Sequence, residues 1–355
     1  MDDWLIDDDR LSIGRKSVLP GEGFFIPDSY EEEQAEAEAA ETLNGAGVIV
    51  IADPDADGLA CTALIRQAHG EGALLPAGPH ELTEALEWTA EYADPDATVF
   101  ICDLCPDRES DIAPLDALVD TVERVVWFDH HQWPADLAAD VDAAGVERTV
   151  GDSDEVCTAD VALSGLDFEF DEQWADLAAV TRDHDLWIRD DPRSDDLADL
   201  SYWSDPEEYI EAVREHGPDL SPEFHEFLEE KRVEKEALIE KAVERAELRD
   251  VGQWTVGVTY GRCSQNEVAE ALREQGADAA VIVKPAGSAS IRGTESFERA
   301  HEVAQQVNGG GHPKAAGCKP DIYDDMMDYA HHWTTQGAVA KQAIVDAFRR
   351  LPEEE

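Results

Sequence analysis

Residues 48–52, Val-Ile-Val-Ile-Ala, constrain the fold of this chain more than any other stretch. An unbroken β-branched run does not alternate between an inner and an outer face. It therefore predicts a strand covered on both sides, as in a parallel sheet. The run breaks into Asp53, Asp55 and Asp57, and Gly58 closes it. Open α/β sheets bind ligands beyond the carboxyl ends of their strands. Carboxylates crowded at such an end repel one another unless a cation lies among them. Oxygen donors of this kind suit a hard divalent ion such as Mg²⁺ or Mn²⁺. Taken alone, the stretch has a plainer reading as an aspartate-rich turn that caps a helix over 59–67, and the metal reading is the favoured one.

The same pattern recurs further on. Residues 98–102 (TVFIC) stop at Asp103, and residues 124–128 (RVVWF) stop at Asp129, His130 and His131. Helical periodicity lies between them, over 59–69, 81–92 and 111–121, with a short apolar piece at 73–76. This alternation predicts a doubly wound parallel sheet whose strand ends converge at one edge. A helix over 172–186 ends in Asp183, His184 and Asp185, and either aspartate would cap the shared site; a polar helix end is the plainer reading.

Charge sets the setting for that site. The chain has 355 residues with 82 Asp plus Glu against 27 Lys plus Arg, a formal charge of −55. At low salt this would repel nucleic acid, but at roughly 1 M salt the Debye length is ~3 Å. The composition predicts a surface adapted to molar salt, as in a halophile, and does not exclude a nucleotide substrate. Hydrophobic residues at 43% argue against acidic disorder. Cys102 and Cys105 form a lone C-x-x-C with no second pair, and read as small buried residues rather than a zinc or redox site. With no signal peptide and no apolar run of membrane length, the expected location is a reducing cytoplasm, with no membrane partner.

Four segments follow from this reading: an acidic extension over 1–45, with an extended piece at Gly23–Pro27 and a helix over 29–43; a catalytic domain over 46–204; a helical connector over 205–250; and a smaller α/β domain over 251–355. The Asp/Pro/Ser-rich stretch 190–206 predicts loop, and 222–249 a long charged helix joining the domains. In the last domain strands are expected at 254–260, 278–284, 287–292 and 315–319. Ser290 and Arg292 alternate on a strand and face one side, where an arginine grips a phosphate with two hydrogen bonds. Gly309, Gly310, Gly311 and His312 predict a loop whose peptide N–H groups cradle an anion; a flexible hairpin is the plainer reading. His331 and His332 are assigned to packing or surface.

In this order the motifs resemble the DHH phosphoesterase superfamily, with its RecJ-like exonucleases and nanoRNase/pAp-phosphatase relatives. The resemblance rests on ADPDADG (52–58), ICDLCPD (101–107), DHH (129–131), an aspartate near 183, SIR (290–292) and GGGH (309–312), and covers about residues 46–320. It implies an α/β fold, with a parallel-sheet DHH domain joined by a long helix to a DHH-associated domain. It implies two metal ions, usually Mn²⁺ with Mg²⁺ as the alternative. The ligands it assigns are Asp55, Asp57, Asp103, His130 and Asp183, with Asp103 as the bridge and Asp53 as ligand or support. Asp129 would support the histidines, and His131 would touch the scissile phosphate or a metal. Ser290, Arg292 and Gly309–His312 would bind substrate across the interdomain cleft. Many relatives carry a histidine where this chain has Ile51, a departure shared with some RecJ enzymes.

The activity so implied is hydrolysis of single-stranded nucleic acid or short oligonucleotides to mononucleotides. Hydrolysis of pAp or a cyclic dinucleotide is the runner-up, and a catalytically silent scaffold in replication or repair is the rival of a different class. A homodimer and replication or repair partners are compatible with the resemblance.

Overall fold

The computed structural model describes residues 28–79, 81–311, 313–323 and 326–352, with side chains from residue 34 and without that of Met326. The extended piece expected at Gly23–Pro27 lies outside the described residues. These form two compact units, and the boundary falls between Leu228 and Glu229, within the helix Pro222–Glu244.

In the first unit, α1 (Asp28–Leu43) leads into β1 (Val48–Ala52), α2 (Ala56–His69), β2 (Ala73–Pro76), α3 (Leu82–Tyr92) and β3 (Thr98–Cys102). After a single 3₁₀ turn come α4 (Leu115–Thr121), β4 (Arg124–Asp129), α5 (Ala135–Ala143), β5 (Glu147–Val150), α6 (Thr158–Gly165) and α7 (Glu172–Asp185). All five strands are parallel, in the order β2-β1-β3-β4-β5. Ile49, Ile51, Val99, Ile101 and Trp127 pack on one face, with α1, α3, α4 and α5. Val50, Phe100, Val126 and Phe128 pack on the other, with α2, α6 and α7. Burial on both faces is what an unbroken apolar run encodes.

The sheet order places a topological switch point between β1 and β3, where the chain turns to opposite sides and a crevice opens beyond the strand ends. Register fixes what lines it. Ala52 pairs with Cys102, and Cys102 with Phe128, so Asp53, Asp103 and Asp129 follow at one level. Ile51, one residue further in, pairs with Ile101 and is wholly buried, so that position contributes core rather than a ligand.

The stretch 190–206 is helical where loop was expected. It forms α8 (Pro192–Trp203) and most of the approach to α9 (Pro206–His216). The Asp-Pro pairs that look like breakers are helix starts. Asp191 and Asp205 accept hydrogen bonds from the N–H groups of Arg193 and Glu207, and each proline takes the first helical turn, where no amide hydrogen is needed.

Helix α10 (Pro222–Glu244) is shorter than expected, because residues 247–251 form a strand. The second unit holds β6 (Glu247–Val251), β7 (Trp254–Tyr260), α11 (Gln265–Glu274), β8 (Ala279–Val283), β9 (Ala289–Gly293) and α12 (Ala300–Gln305). It ends with β10 (Gly309–Gly311), β11 (Ala315–Cys318), α13 (Met326–Thr334) and α14 (Ala338–Arg349). Its six-stranded mixed sheet runs β10-β11-β9-β8-β7-β6, with β7 and β8 parallel. His331 is exposed on α13, and His332 is buried beneath it. No helix among the described residues is long and apolar enough to cross a membrane. The six cysteines are free thiols, with Cys102 buried and Cys105 half-buried.

Candidate metal centre

Asp57, Asp103, His130, His131 and Asp185 converge at the switch point. Ligand atoms of Asp57, His130 and Asp185 lie within 4.8 Å of one another, as do those of Asp103, His130 and His131. Each is placed by local structure. Asp55 is the N-cap of α2 and accepts from the N–H groups of Asp57 and Gly58 at 3.0 and 3.1 Å, which turns Asp57 inward. Gly58 is required at the next position, since a Cβ there would stand 2.2 Å from the Asp53 carbonyl oxygen. Asp103 turns out of β3 in the left-handed region, at φ 59°, which its short polar side chain tolerates.

Two residues that the motifs did not single out hold these carboxylates. Asp57 accepts from the N–H groups of Thr158 and Ala159, at 2.7 and 2.8 Å, and Asp103 accepts from the Thr158 hydroxyl at 2.8 Å. Backbone donors at a helix start leave no residue-type signature, so sequence reasoning had little to find them by.

The DHH signature divides its labour. Asp129 is fully buried and accepts from His131 Nδ1 at 2.7 Å, Trp133 Nε1 at 2.6 Å and the His130 N–H at 2.8 Å. Burial pushes Asp129 up, but these donors outweigh it and hold its carboxyl below the usual range. Burial likewise pushes His131 down, yet the hydrogen bond and charge of Asp129 prevail and raise it to about 9. His130 Nδ1 donates to the Val156 carbonyl at 3.0 Å, so Nε2 carries the lone pair. Burial and the charge of His131 keep His130 low and neutral.

The two aspartates that end α7 have different tasks. Asp183, the ligand implied by motif position, is directed away from the cluster. Its carboxylate accepts from the N–H groups of Asp190 and Asp191 and from the Ser194 hydroxyl, at 2.9, 3.1 and 2.7 Å. Asp185 stands in its place, with Oδ2 3.3 Å from His130 Nε2. That oxygen is buried and has no hydrogen-bond partner. A lone pair on nitrogen thus faces a carboxylate oxygen, an arrangement that a shared cation or a shared proton stabilises.

Electrostatics point the same way. Burial, then the charge of Asp55, pushes Asp57 up to about 7 despite its two N–H donors. Asp53 is raised well above the usual range by burial and Asp55, and Asp103 and Asp185 by burial and Asp57. The donor set of carboxylates with one imidazole fits a hard or borderline divalent ion. Within the second triad His131 is the weaker donor, because its Nδ1 is taken by Asp129. Asp53 is half-buried and Asp55 exposed at the rim, and neither belongs to the two tight triads.

In the second unit, Ser290 and Arg292 share one face of β9 as expected. The Ser290 hydroxyl donates to Gln265 Oε1, and Arg292 Nε to Asn266 Oδ1 at 2.8 Å, both at the start of α11. Burial and the neighbouring cation Arg273 lower Arg292, and burial and Arg292 lower Lys284. The glycines are not a loop. Gly309, Gly310 and Gly311 pair antiparallel with Cys318, Gly317 and Ala316, and a Cβ on Gly309 would stand 2.1 Å from the Gly317 carbonyl oxygen. The close approach that requires glycine at 309 is to the neighbouring strand. His312 lies outside the described residues.

A five-stranded parallel sheet of this order, joined to a mixed second sheet, is the fold of RecJ. The chain superposes on a manganese-bound exonuclease RecJ with a TM-score of 0.55 at 17% identity, over 90% of this chain and 94% of that one. RecJ from Thermus thermophilus in complex with Mn²⁺ gives 0.55 at 18% identity, over 96% of this chain and 57% of that one. No protein-family model and no curated protein matches the sequence.

Proposed function

We propose that this chain is a metal-dependent phosphoesterase that hydrolyses phosphodiester bonds of single-stranded nucleic acid or short oligonucleotides, releasing mononucleotides. The observation that carries the reading is the facing pair His130 Nε2 and Asp185 Oδ2, ringed by Asp57 and Asp103 at the switch point. Asp57, His130 and Asp185 would hold one ion, and Asp103 would contribute to a second, with Asp53 and Asp55 as further candidate donors. Such ions lower the pKa of a bound water and offset the charge that develops on the leaving oxygen. Mn²⁺ suits the imidazole donor better than Mg²⁺ does, and the RecJ structures named above hold manganese.

The chain's own groups supply the rest. Asp129 keeps His131 Nδ1 occupied and favours the charged ring, from which Nε2 would offer a proton to a phosphate oxygen. Trp133 holds the other oxygen of Asp129 and so fixes the ring's direction. Arg292, with Lys284 beside it, would offer the second unit's donors to a phosphate, and Ser290 could join them only by releasing Gln265. The retained ligand set argues for an active hydrolase over a silent scaffold.

The test is Mn²⁺-dependent release of mononucleotides from short RNA, short DNA, pAp and a cyclic dinucleotide, in molar salt. Release from an oligonucleotide is expected, and Asp103→Asn should abolish it; asparagine tolerates the left-handed backbone, so the loss reports chemistry rather than misfolding. Turnover of pAp alone would favour the runner-up, and undiminished activity in Asp103→Asn would sink the proposal.

A further inference from the structure

Thr158 touches the carboxylates of Asp57 and Asp103 at once. Its N–H donates to Asp57 Oδ2 at 2.7 Å, and its hydroxyl donates to Asp103 Oδ1 at 2.8 Å. The residue is wholly buried, so water does not compete for either bond. Among the described residues no other hydrogen-bond donor reaches the Asp103 carboxylate. His130 Nε2 and His131 Nδ1 both stand 3.7 Å from its Oδ1, beyond hydrogen-bond range. The backbone of Asp103 sits in the left-handed region at φ 59°, so its carboxylate leaves the sheet at an angle that the strand itself does not dictate.

We propose that Thr158 is a positioning residue of the metal centre, whose hydroxyl engages Oδ1 of Asp103 and leaves Oδ2 as the oxygen without a protein donor. This rests on the metal reading given above. One residue thereby fixes the spacing between the carboxylate at the start of α2, which follows β1, and the carboxylate that follows β3, the two strands that flank the switch point. The backbone half of the clamp survives any substitution except proline; the hydroxyl half is specific to threonine or serine. The first turn of α6 is itself anchored, since Asp160 accepts from Arg182 Nη1 on α7 at 2.7 Å. Supporting hydrogen bonds of this kind tune metal affinity because they hold a ligand in its binding orientation before the ion arrives.

The experiment measures Mn²⁺ binding to substrate-free full-length protein, from the electron paramagnetic resonance signal of free Mn²⁺, in molar salt. Thr158→Val keeps the shape and the N–H but removes the hydroxyl, and should weaken binding by about 10- to 100-fold. Thr158→Ser keeps the hydroxyl and should bind within about threefold of the parent, well inside that range. At saturating Mn²⁺ the kcat of Thr158→Val should recover while KM for an oligonucleotide stays unchanged. Thermal unfolding of the metal-free variants checks the fold, and Thr158→Ala carries the same expectation should valine fail to pack. Parent-like Mn²⁺ binding by the valine or alanine variant overturns the assignment, as does an equal loss in Thr158→Ser. A parent chain that binds no Mn²⁺ removes the metal reading itself, and this one with it.

Discussion

Asp183 and Asp185 are two residues apart on α7, which places their side chains roughly 200° apart around the helix axis. One therefore faces the turn 188–194 while the other faces the candidate metal centre. Their substitution should separate the roles. Asp185→Asn should weaken Mn²⁺ binding by at least about tenfold and leave the metal-free protein as stable as the parent or more so, because its Oδ2 has no donor to lose and stands among like charges. Asp183→Asn should do the reverse. Its carboxylate accepts three hydrogen bonds, and an amide group turned toward those donors costs about 1–3 kcal/mol. Calorimetric unfolding and Mn²⁺ titration of both variants check this; a Mn²⁺ defect confined to Asp183→Asn would reverse the two assignments. Motif position pointed to Asp183 while the residues alone left the choice open, because only the turn after α7 separates the two. The roles of Thr158, Ala159 and Trp133 were likewise illegible. They act through a peptide N–H, a hydroxyl and an indole N–H, none of which carries a spacing signature.

Elements were legible where burial is two-sided. The runs at 48–52, 98–102 and 124–128 read as strands because a parallel sheet needs apolar residues on both faces. Strand β5 escaped, because it lies at the sheet edge and reads Glu-Arg-Thr-Val, polar at its exposed positions. Helix α6 escaped for its brevity. Residues 309–311 read as a loop because glycine carries no strand propensity, yet their pairing with β11 is what excludes a side chain at 309. Gly309→Ala should therefore destabilise the protein by about 1–3 kcal/mol through overpacking. Gly317→Ala, whose Cβ would meet nothing within 4 Å, should leave the melting temperature nearly unchanged. Equal tolerance at both positions would show that the β10–β11 hairpin is not closely packed.

Helix α13 docks through His332, whose Nε2 donates to the Lys284 carbonyl while Nδ1 accepts from the Tyr323 hydroxyl, each at 2.8 Å. Only the second bond requires the neutral ring, since a protonated Nδ1 could no longer accept, whereas Nε2 would still donate to the Lys284 carbonyl. Burial, together with nearby Lys341, lowers its pKa below the ordinary 6.5, with the Lys284 carbonyl opposing. Above 6.5 the ring is neutral in both folded and unfolded chains, and its contribution to stability is complete. As pH falls below 6.5 the unfolded chain takes up a proton that the folded one resists, so stability declines until the lower folded value is passed. The slope contributed is at most about 1.4 kcal/mol per pH unit. Replacing His332 with Gln should flatten the decline in unfolding free energy between roughly pH 7.5 and 5.5 relative to the parent, by no more than that slope. Parallel profiles would mean that the ring titrates normally.

At the scale of the whole molecule, one number governs behaviour: a formal charge of −55 on 355 residues. Ion pairs relieve it only locally. Arg193 alone is shared among Asp176, Asp191 and Asp219, and 27 cationic side chains cannot serve 82 acidic ones. Mobile counter-ions must do the rest. At ~0.01 M salt the screening length is about 30 Å, comparable to a domain, so every surface carboxylate repels most of the others in its unit; at ~1 M it is about 3 Å and only near neighbours interact. Unfolding separates the charges, so repulsion destabilises the compact state more than the extended one. The melting temperature should therefore climb as KCl is raised from roughly 0.1 to 2 M. Sodium and potassium chloride should act alike, whereas a neutral osmolyte at matched osmolarity should not reproduce the gain. The candidate metal centre would add a second dependence with a different signature. Mn²⁺ at micromolar to millimolar concentration should raise the melting temperature further at any fixed KCl concentration, by mass action on the folded state. That increment should vanish in Asp185→Asn while the KCl response remains. Loss of both responses together would mean that the Mn²⁺ effect is screening by a divalent ion at the surface; their separation would place it among the strand-end carboxylates.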